Sequence, residues 1–359
     1  MPARRIINRR ELLAAGAVAV AASPLTTLAA PTPAAAPRTP TVDPLSLVSP
    51  DLRDALAQWR QDPGDSPINA RTLARVRKLS EPTVPNAPTP LYEERSIPGP
   101  KGAPNVRVFV INAATGGTPR PAVLHIHGGG FVAGTVEEVI PKLQRLAREH
   151  DCVIVTVDYR LAPETRFPGA LEDNYAALKW LYRSAPVLGV DASRIAVAGE
   201  SAGGGHAAML AIAARDRGEV PIVFQLLIYP MLDDRTGSSR PVPPYIGAYI
   251  WVPASNRFGW DSLLGVAAGS RNVFAGAVPA RTTNLAGLPP AFVGVGAIDL
   301  FVDENLEYAR RLINSGVATQ LCVVPGAYHG FDIIAPNAPT SVAFRATWSA
   351  ALKKAFGRD

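Results

Sequence analysis

The stretch RIAVAGESAGGGH, residues 194–206, decides how this chain folds. It reads as a short apolar strand, a glycine-flanked serine, and the start of an alanine-rich helix. A serine on so sharp a strand-to-helix turn adopts a strained backbone conformation, which Gly199, Ala202 and Gly203 permit because their side chains are small or absent. The turn exposes the hydroxyl of Ser201 beside free N–H groups of a helix N-terminus, which can stabilise an oxyanion. These residues predict a nucleophilic serine.

A second glycine motif lies upstream of this turn. His127, Gly128, Gly129 and Gly130 follow the apolar segment 122–126. Backbone N–H groups with no side chains in the way suit the other half of an oxyanion hole. A G-x-S-x-G pattern alone is common in ordinary turns, and a glycine run alone can be a flexible loop. The two together, each after an apolar strand, are far more specific.

Strands and helices alternate along most of the chain, which predicts an α/β fold with a mostly parallel central sheet flanked by helices. We expect strands at residues 92–97, 106–111, 122–126, 152–158, 194–198, 222–228, 291–296 and 319–324. We expect helices at residues 136–150, 171–184, 204–215, 304–315 and 340–356, and two short amphipathic helices within 51–79. The first two strands have no helix between them and should form a hairpin at an edge of the sheet.

The alternation is interrupted once. Residues 231–288 contain turn residues and two tryptophans but no clear strand–helix unit, so we expect an inserted cap. The predicted α/β core is then 91–230 and 289–359, and residues 51–90 supply further cap helices. Residues 30–50 are rich in proline, alanine and threonine and are expected to be a mobile linker.

The N-terminus resembles a twin-arginine export signal. Arg9 and Arg10 precede an apolar Ala/Val segment that ends near Val20, and small residues follow it. We therefore expect a signal peptide over residues 1–29 and a periplasmic or extracellular protein without a membrane span in its mature form. The apolar run is too short and too alanine-rich for a comfortable span. An uncleaved amphipathic anchor is the competing interpretation.

The amino-acid composition limits which classes of protein and of partner are compatible with this chain. A chain of 359 residues with 47% hydrophobic composition can bury a substantial core. The net charge is +6, but four arginines against one glutamate in the first eleven residues supply three of those charges. Because no Lys/Arg run with interleaved aromatics appears elsewhere, no nucleic-acid partner is expected. Cys152 and Cys322, expected on different strands, do not indicate a disulfide framework.

A serine hydroxyl needs a base, and histidine is the usual base at neutral pH. Among five histidines, His329 is the candidate, because it follows the last predicted strand at the edge where parallel sheets gather their reacting groups. The others lie in a strand, in the glycine loop, at a helix end and on a different helix face: His125, His127, His150 and His206. We interpret His127 as holding the glycine loop by hydrogen bonds.

The base in turn needs a carboxylate to fix its tautomer. Asp299 follows the predicted strand 291–296 after a short turn, so it should project at the same edge as Ser201 and His329. Asp303 is the rival, but it precedes a predicted helix, where aspartate often serves as a cap. The chain order Ser201, Asp299, His329 is the order expected of an α/β-hydrolase.

These motifs together resemble the hormone-sensitive lipase family of bacterial carboxylesterases, over nearly all of residues 121–331. The segments that carry the resemblance are HGGGF at 127–131, DYRLAPE at 158–164 with FP at 167–168, the GESAG turn at 199–203, DLFVDE at 299–304 and HGF at 329–331. The resemblance implies an α/β-hydrolase fold with oxyanion donors at the backbone N–H groups of Gly128, Gly129 and Ala202. It also implies a cap built from the N-terminal helices and the insertion.

Two positions depart from the family pattern. Glu200 stands where the family more often has aspartate, and Leu300 replaces a frequent proline. Neither change removes a catalytic atom. We interpret Glu200 as a structural carboxylate tied into local hydrogen bonds, and Tyr159 and Arg160 as structural residues as well.

The sequence thus predicts a serine hydrolase that cleaves carboxylic esters of short to medium acyl chain through an acyl-enzyme, with Ser201, Asp299 and His329 as its triad. A small-molecule ester is the expected partner, and neither a cofactor nor a metal is implied. An amidase or peptidase would use the same residues, because the pocket rather than the triad selects the leaving group. A ligand-binding protein on the same fold would need no triad, and the intact set speaks against it.

Overall fold

One eight-stranded sheet organises the protein. The computed structural model describes residues 42–59, 67–79 and 86–358. Within these ranges the strands are β1 (Tyr92–Ile97), β2 (Val106–Ile111), β3 (Arg120–Ile126), β4 (Val153–Asp158), β5 (Val190–Glu200), β6 (Phe224–Ile228), β7 (Ala291–Gly296) and β8 (Thr319–Val324). They lie in the order β1-β2-β4-β3-β5-β6-β7-β8. Strand β2 runs antiparallel to both neighbours and all other neighbouring pairs are parallel, so the predicted mostly parallel sheet with an edge hairpin is confirmed.

Helices connect the strands and cover both faces of the sheet. They are α1 (Arg53–Trp59), α2 (Leu73–Leu79), α3 (Val136–Glu149), α4 (Gly169–Arg183), α5 (Ala185–Leu188), α6 (Ala202–Arg217), α7 (Pro253–Leu264), α8 (Val302–Asn314), α9 (Phe331–Ile334) and α10 (Pro339–Ala355). Leu124 and Ile126 of β3 pack in one apolar cluster with residues of α4 and α6, and Val123 packs in another with residues of α3 and α10. Successive strand side chains point to opposite faces, so both faces are buried and the strands read as apolar runs.

Helix α6, which begins directly after Ser201, is the most buried helix element at the centre of the fold. Every residue from Ala202 to Ala214 is buried. Its small residues permit close packing: a Cβ built on Gly203 would lie 2.0 Å from the carbonyl oxygen of Ile126, and one on Gly204 would lie 2.9 Å from Cβ of Pro230. The alanine and glycine content of α6 therefore follows from contact on all sides rather than from amphipathic patterning.

Most predicted elements agree with the structure to within a few residues at each end. Helix α8 is a correction, because it begins at Val302 and its N-cap is Phe301, so Asp303 lies in the first turn rather than at the cap. The expected cap insertion, residues 231–288, contains α7 and a short 3-10 helix at Pro279–Arg281. No helix in the described ranges is long and apolar enough to cross a membrane.

The expected signal peptide and the first part of the expected linker lie outside the described residues. The last part of that linker prediction is wrong: Pro44–Leu47 forms a 3-10 helix and the side chain of Val48 is buried. The backbone N–H of Ser49 donates to the carbonyl oxygen of Gly326 over 3.0 Å. Apolar Val48 and Leu52 bury against the core, which outweighs the local proline content.

Candidate active site

Four loops meet at the carboxyl edge of the sheet. Parallel strands β3, β5, β7 and β8 end there, and each is followed by one predicted site segment. The residues concerned are Gly128, Ser201, Asp299 and His329 in that order. The carboxyl ends of parallel strands face the same side, so side chains as far apart as 128 residues in sequence come within hydrogen-bond distance.

Ser201 occupies the turn between β5 and α6 in a backbone conformation that few non-glycine residues adopt. Its φ is 56° and its ψ is −123°. The strain is held in place by backbone hydrogen bonds: its N–H donates to the carbonyl oxygen of Ile228 over 2.9 Å, and its carbonyl oxygen accepts from the N–H of Met231 over 3.0 Å. A Cβ on Gly199 would lie 2.3 Å from the carbonyl oxygen of Gly203. The predicted need for small neighbours is therefore confirmed.

A continuous chain of hydrogen bonds joins Ser201, His329 and Asp299. Nε2 of His329 lies 2.9 Å from Oγ of Ser201, and Nδ1 lies 2.8 Å from Oδ2 of Asp299. The serine is 8% exposed, the histidine 6%, and the aspartate 0%. Because a carboxylate only accepts hydrogen bonds, Nδ1 of His329 carries the proton and Nε2 presents its lone pair to the serine hydroxyl.

Asp299 is itself held in place by the turn that precedes α8. Its Oδ1 accepts a hydrogen bond from the backbone N–H of Phe301 over 2.9 Å, which leaves Oδ2 for the imidazole. The rival, Asp303, is exposed to solvent on the first turn of α8. The structure therefore brings Asp299, and not Asp303, to His329.

The glycine loop packs directly against the serine. A Cβ built on Gly128 would lie 3.4 Å from Cβ of Ser201. Gly129 and Gly130 have φ values of 115° and 60°, which glycine adopts without strain. Within the described residues, the N–H groups of Gly128 and Gly129 donate no backbone hydrogen bond, and that of Ala202 is at the first position of a helix. The N–H of Ser201 is already used by the carbonyl oxygen of Ile228, so it is not free to donate to an oxyanion.

His127 and Tyr159 fix the shape of this loop. Nδ1 of His127 lies 2.8 Å from the carbonyl oxygen of Gly128. The rings of His127 and Tyr159 stack with their centroids 4.4 Å apart. The hydroxyl of Tyr159 donates to the carbonyl oxygen of His127 over 2.9 Å. Burial lowers the pKa of His127 to about 4, so it is neutral at pH 7. The structural interpretation of both residues is confirmed, and that of Arg160 too, since it makes a two-pronged ion pair with Asp173.

A second trio of hydrogen-bonded residues, Thr156, His125 and Glu200, lies beside the serine turn. Nδ1 of His125 lies 3.0 Å from Oγ1 of Thr156, and Nε2 lies 3.0 Å from Oε2 of Glu200. The other carboxylate oxygen of Glu200 lies 2.8 Å from Nζ of Lys142. Burial alone would raise the pKa of Glu200, but the charge of Lys142 and the hydrogen bond from His125 hold it well below its usual value. Burial lowers the pKa of His125, so the trio contains a neutral imidazole and a carboxylate.

The two remaining histidines are not bases for Ser201. His206 is 1% exposed, and its ring nitrogens have no hydrogen-bond partner among the described residues. Its ring packs edge-on against Phe131 and Tyr159, and burial lowers its pKa to about 3. His150 lies beside Oγ of Ser349 at 2.9 Å, on the other face of the sheet with α10.

Sequence reasoning missed the aromatic residues around His329. The rings of Tyr229, Phe301 and Trp251 have centroids 4.9, 5.1 and 6.4 Å from the imidazole. Tyr229 has a φ of 34°, and its hydroxyl donates to Oδ1 of Asp332 over 2.8 Å. The position of Tyr229 directly after β6 at the reactive edge was a usable signal, whereas nothing local to Trp251 indicates where the cap would place it.

Comparison with known proteins identifies the group to which this arrangement belongs. A family model described as alpha/beta hydrolase fold matches residues 123–333. Esterase LipI of Mycobacterium tuberculosis is 36% identical over 261 residues, which are 72% of this chain and 79% of LipI. Carboxylesterase NlhH of the same organism is 34% identical over 287 residues, which are 79% of this chain and 88% of NlhH. The structure of a bacterial heroin esterase superimposes with a TM-score of 0.78 at 34% identity, covering 87% of this chain and 99% of that one.

The chain therefore belongs to the hormone-sensitive lipase family of α/β-hydrolases, as its motifs predicted. The relatives carry the names of esterases and carboxylesterases, and the protein is an ester hydrolase by class. The matched region, 123–333, contains the glycine loop, the serine turn, Asp299 and His329.

Proposed function

We propose that this protein hydrolyses carboxylic esters of short to medium acyl chain through a covalent acyl-enzyme on Ser201. One observation carries the proposal: Ser201, in a strained turn, is hydrogen-bonded to His329, which is hydrogen-bonded to a buried carboxylate. A serine is a weak nucleophile unless a base so placed removes its proton.

In the first half-reaction, Oγ of Ser201 attacks the ester carbonyl carbon while Nε2 of His329 takes the hydroxyl proton. Asp299 keeps the proton on Nδ1 and stabilises the imidazolium that forms. The negative charge that develops on the carbonyl oxygen is accepted by the N–H groups of Gly128, Gly129 and Ala202. Collapse of this intermediate breaks the bond to the alkoxy oxygen, which leaves as the alcohol with the proton from His329.

The second half-reaction uses the same groups with water as the nucleophile. His329 removes a proton from water, the resulting hydroxide adds to the acyl carbon, and the bond to Oγ of Ser201 breaks. The proton on Nε2 returns to the serine, and the carboxylic acid is released. The chemistry needs no group beyond these residues, the ester and water.

The proposed limit on acyl length rests on how closely the cap contacts the glycine loop. Nε of Arg77 on α2 donates to the carbonyl oxygen of Val132 over 2.7 Å, which ties that helix to the loop. From the insertion, α7 approaches so closely that a Cβ on Gly259 would lie 2.5 Å from the carbonyl oxygen of Gly130. With both parts of the cap against the loop, little apolar area remains for a long chain.

The test is a substrate panel with purified protein and its Ser201→Ala variant. Activated esters of rising acyl length are run beside matched anilides, with a serine-directed phosphonate as the label. We expect turnover of short and medium esters, slow or no turnover of anilides, and loss of both label and turnover in the variant. Anilides cleaved as fast as esters would indicate an amidase. Ester binding without turnover would indicate a ligand-binding protein, and rates that keep rising to emulsified long-chain triglycerides would indicate a true lipase.

We further propose that the protein is exported by the twin-arginine route, on the strength of Arg9 and Arg10 before the weakly hydrophobic segment of the N-terminus. Replacing both arginines with lysine should leave the protein unexported, which cell fractionation would detect. Unchanged secretion in cells that lack the twin-arginine translocase would point instead to general secretion.

A further inference from the structure

We propose that Trp251 is the residue that limits the size of the ester, as a rigid wall between the glycine loop and His329. The inference rests on the proposed ester hydrolysis and adds to it the position at which an unbranched apolar chain is stopped. It concerns a cap residue whose ring lies against the glycine loop and near the proposed base.

The indole ring of Trp251 lies against the bare Cα of Gly130. A Cβ built on Gly130 would lie 2.0 Å from Cη2, 2.7 Å from Cζ2 and 3.0 Å from Cζ3 of the indole. The same ring has its centroid 6.4 Å from the imidazole of His329. One side chain of the cap therefore spans from the glycine loop to the proposed base, over the gap where an ester must lie.

The ring is fixed in this position by hydrogen bonds within the cap. Its Nε1–H donates to Oδ1 of Asn256 over 3.1 Å, and Nδ2 of Asn256 donates to the carbonyl oxygen of Thr236 over 2.8 Å. Asn256 is fully buried and Trp251 is 6% exposed. A side chain with its polar atom satisfied and its ring packed does not move aside at low cost.

The backbone before the tryptophan is also strained. Ile250 has a φ of 65°, an outlier for a β-branched residue, and the N–H of Trp251 donates to the carbonyl oxygen of Tyr249 over 2.8 Å. Such strain persists only where the surroundings over-determine it, and it concentrates at functional sites. Here the strained residue lies directly before the residue whose indole contacts Gly130.

An ester bound for attack has its carbonyl oxygen at the glycine loop and its leaving oxygen near His329. With Trp251 over this gap, one of the two chains of the ester leaves the reaction centre past the indole ring. Removing the indole opens space for further methylenes, each of which contributes about 0.8 kcal/mol when buried. That is about a three- to fourfold gain in kcat/KM per methylene.

The experiment compares the wild type with Trp251→Ala and the milder Trp251→Phe on two series of esters. One lengthens the acyl chain with the alcohol fixed, and the other lengthens the alcohol with acetate fixed. We expect kcat/KM of Trp251→Ala to rise about threefold per methylene past the wild-type optimum in one of the series, which identifies the chain that meets the wall. Trp180→Ala is the matched control, because Trp180 lies near the end of α4, away from the reactive edge, and should keep the wild-type profile.

A double variant keeps the test independent of general damage to the site. Gly130→Ala would drive a methyl group into the indole, so it should lower kcat/KM for short esters at least tenfold. In the Trp251→Ala background the same change should cost much less, since only the backbone strain at Gly130 is left. The role of Trp251 would be refuted if Gly130→Ala cost as much in the Trp251→Ala background as in the wild type. It would also be refuted if Trp251→Ala and Trp251→Phe both kept the wild-type chain-length profile. In either case wild-type ester hydrolysis would still stand. A wild type without ester hydrolysis would refute the proposed function itself.

Discussion

Two hydrogen-bonded trios of hydroxyl, imidazole and carboxylate lie at the same edge of the sheet. In one, Ser201 contacts Nε2 of His329 and Asp299 contacts its Nδ1. In the second trio, Thr156 contacts Nδ1 of His125 and Glu200 contacts its Nε2. All four of these distances lie between 2.8 and 3.0 Å, so hydrogen-bond length does not distinguish the two.

The backbone conformation and the position of the hydroxyl-bearing residue do distinguish the two trios. Thr156 is 0% exposed and lies inside β4, where it pairs with Phe109 on one side and His125 on the other. Ser201 is 8% exposed on a strained turn beside free N–H groups. Thr156 is therefore closed off from solvent by its neighbouring strands.

The comparison teaches that a hydroxyl, an imidazole and a carboxylate in a row do not make a nucleophile. Catalysis needs the serine to be presented to substrate and the developing charge to be accepted. The second trio instead neutralises Lys142 and ties β3, β4 and β5 together next to the serine turn. The following variants test this division.

The largest difference should come from removing the two hydroxyls. Ser201→Ala should lower kcat by roughly 10⁴ to 10⁶, because the covalent route is lost. Thr156→Val keeps the shape and removes one buried hydrogen bond, so it should cost about 1 kcal/mol of stability and change kcat less than about tenfold. Steady-state ester kinetics with thermal midpoints measure both. If Thr156→Val proved as inactive as Ser201→Ala while still folded, the second trio would have a catalytic role.

The next largest difference in kcat should come from replacing the carboxylate that orients the proposed base. Asp299→Asn preserves the shape but presents an amide donor to Nδ1 of His329 or favours the wrong tautomer, so kcat should fall by up to about 10⁴ with KM nearly unchanged. Asp303→Asn is the matched control four residues further along. It should change kcat little and cost less than about 1 kcal/mol, because Asp303 is exposed in a helix first turn. If Asp303→Asn folded normally and were the variant with the strongly lowered kcat, the orienting carboxylate would be Asp303 rather than Asp299.

The smallest effect, and one on stability rather than rate, should come from Glu200→Gln. The pKa of Glu200 is lowered in the folded protein, so its ionised form stabilises folding above the unfolded pKa of about 4.3, and this stabilisation is lost as pH falls toward the lower folded pKa. At pH 7 the variant should be less stable than the wild type by about 2 kcal/mol. This lies between the cost of breaking an exposed ion pair and that of breaking a fully buried one.

The pH dependence supplies the check on that assignment. Urea unfolding of wild type and Glu200→Gln at a series of pH values should give a difference that is constant above about pH 5 and shrinks below pH 4. A difference that grew on acidification would mean that Glu200 is protonated in the folded state. A kcat loss above about a hundredfold at pH 7 would show that the second trio acts on the reaction.

Much of the fold and of the candidate site could be predicted from the sequence, because the residues that indicate them are constrained by their neighbours along the chain. The serine turn needs small residues next to it and an apolar strand before it, and both are visible in residues 194–206. The prediction for His329 and Asp299 needed only the rule that parallel strands end at one edge. Predicted helix ends were wrong by a residue or two where tertiary contacts decide them, as at the start of α8 near Asp303. The linker prediction was wrong at Val48, whose side chain is buried in the core.

The sequence by itself determined the α/β class, the hydrolase family and the residues gathered at the reactive edge, because strand alternation, glycine backbone freedom and loop position are properties of short segments. Only the tertiary structure decided which carboxylate meets His329, which histidines are buried without partners, and where the cap places Trp251. These depend on contacts between segments far apart in the chain. A side chain such as Trp251 has no local pattern that records that its neighbours will be Gly130 and His329.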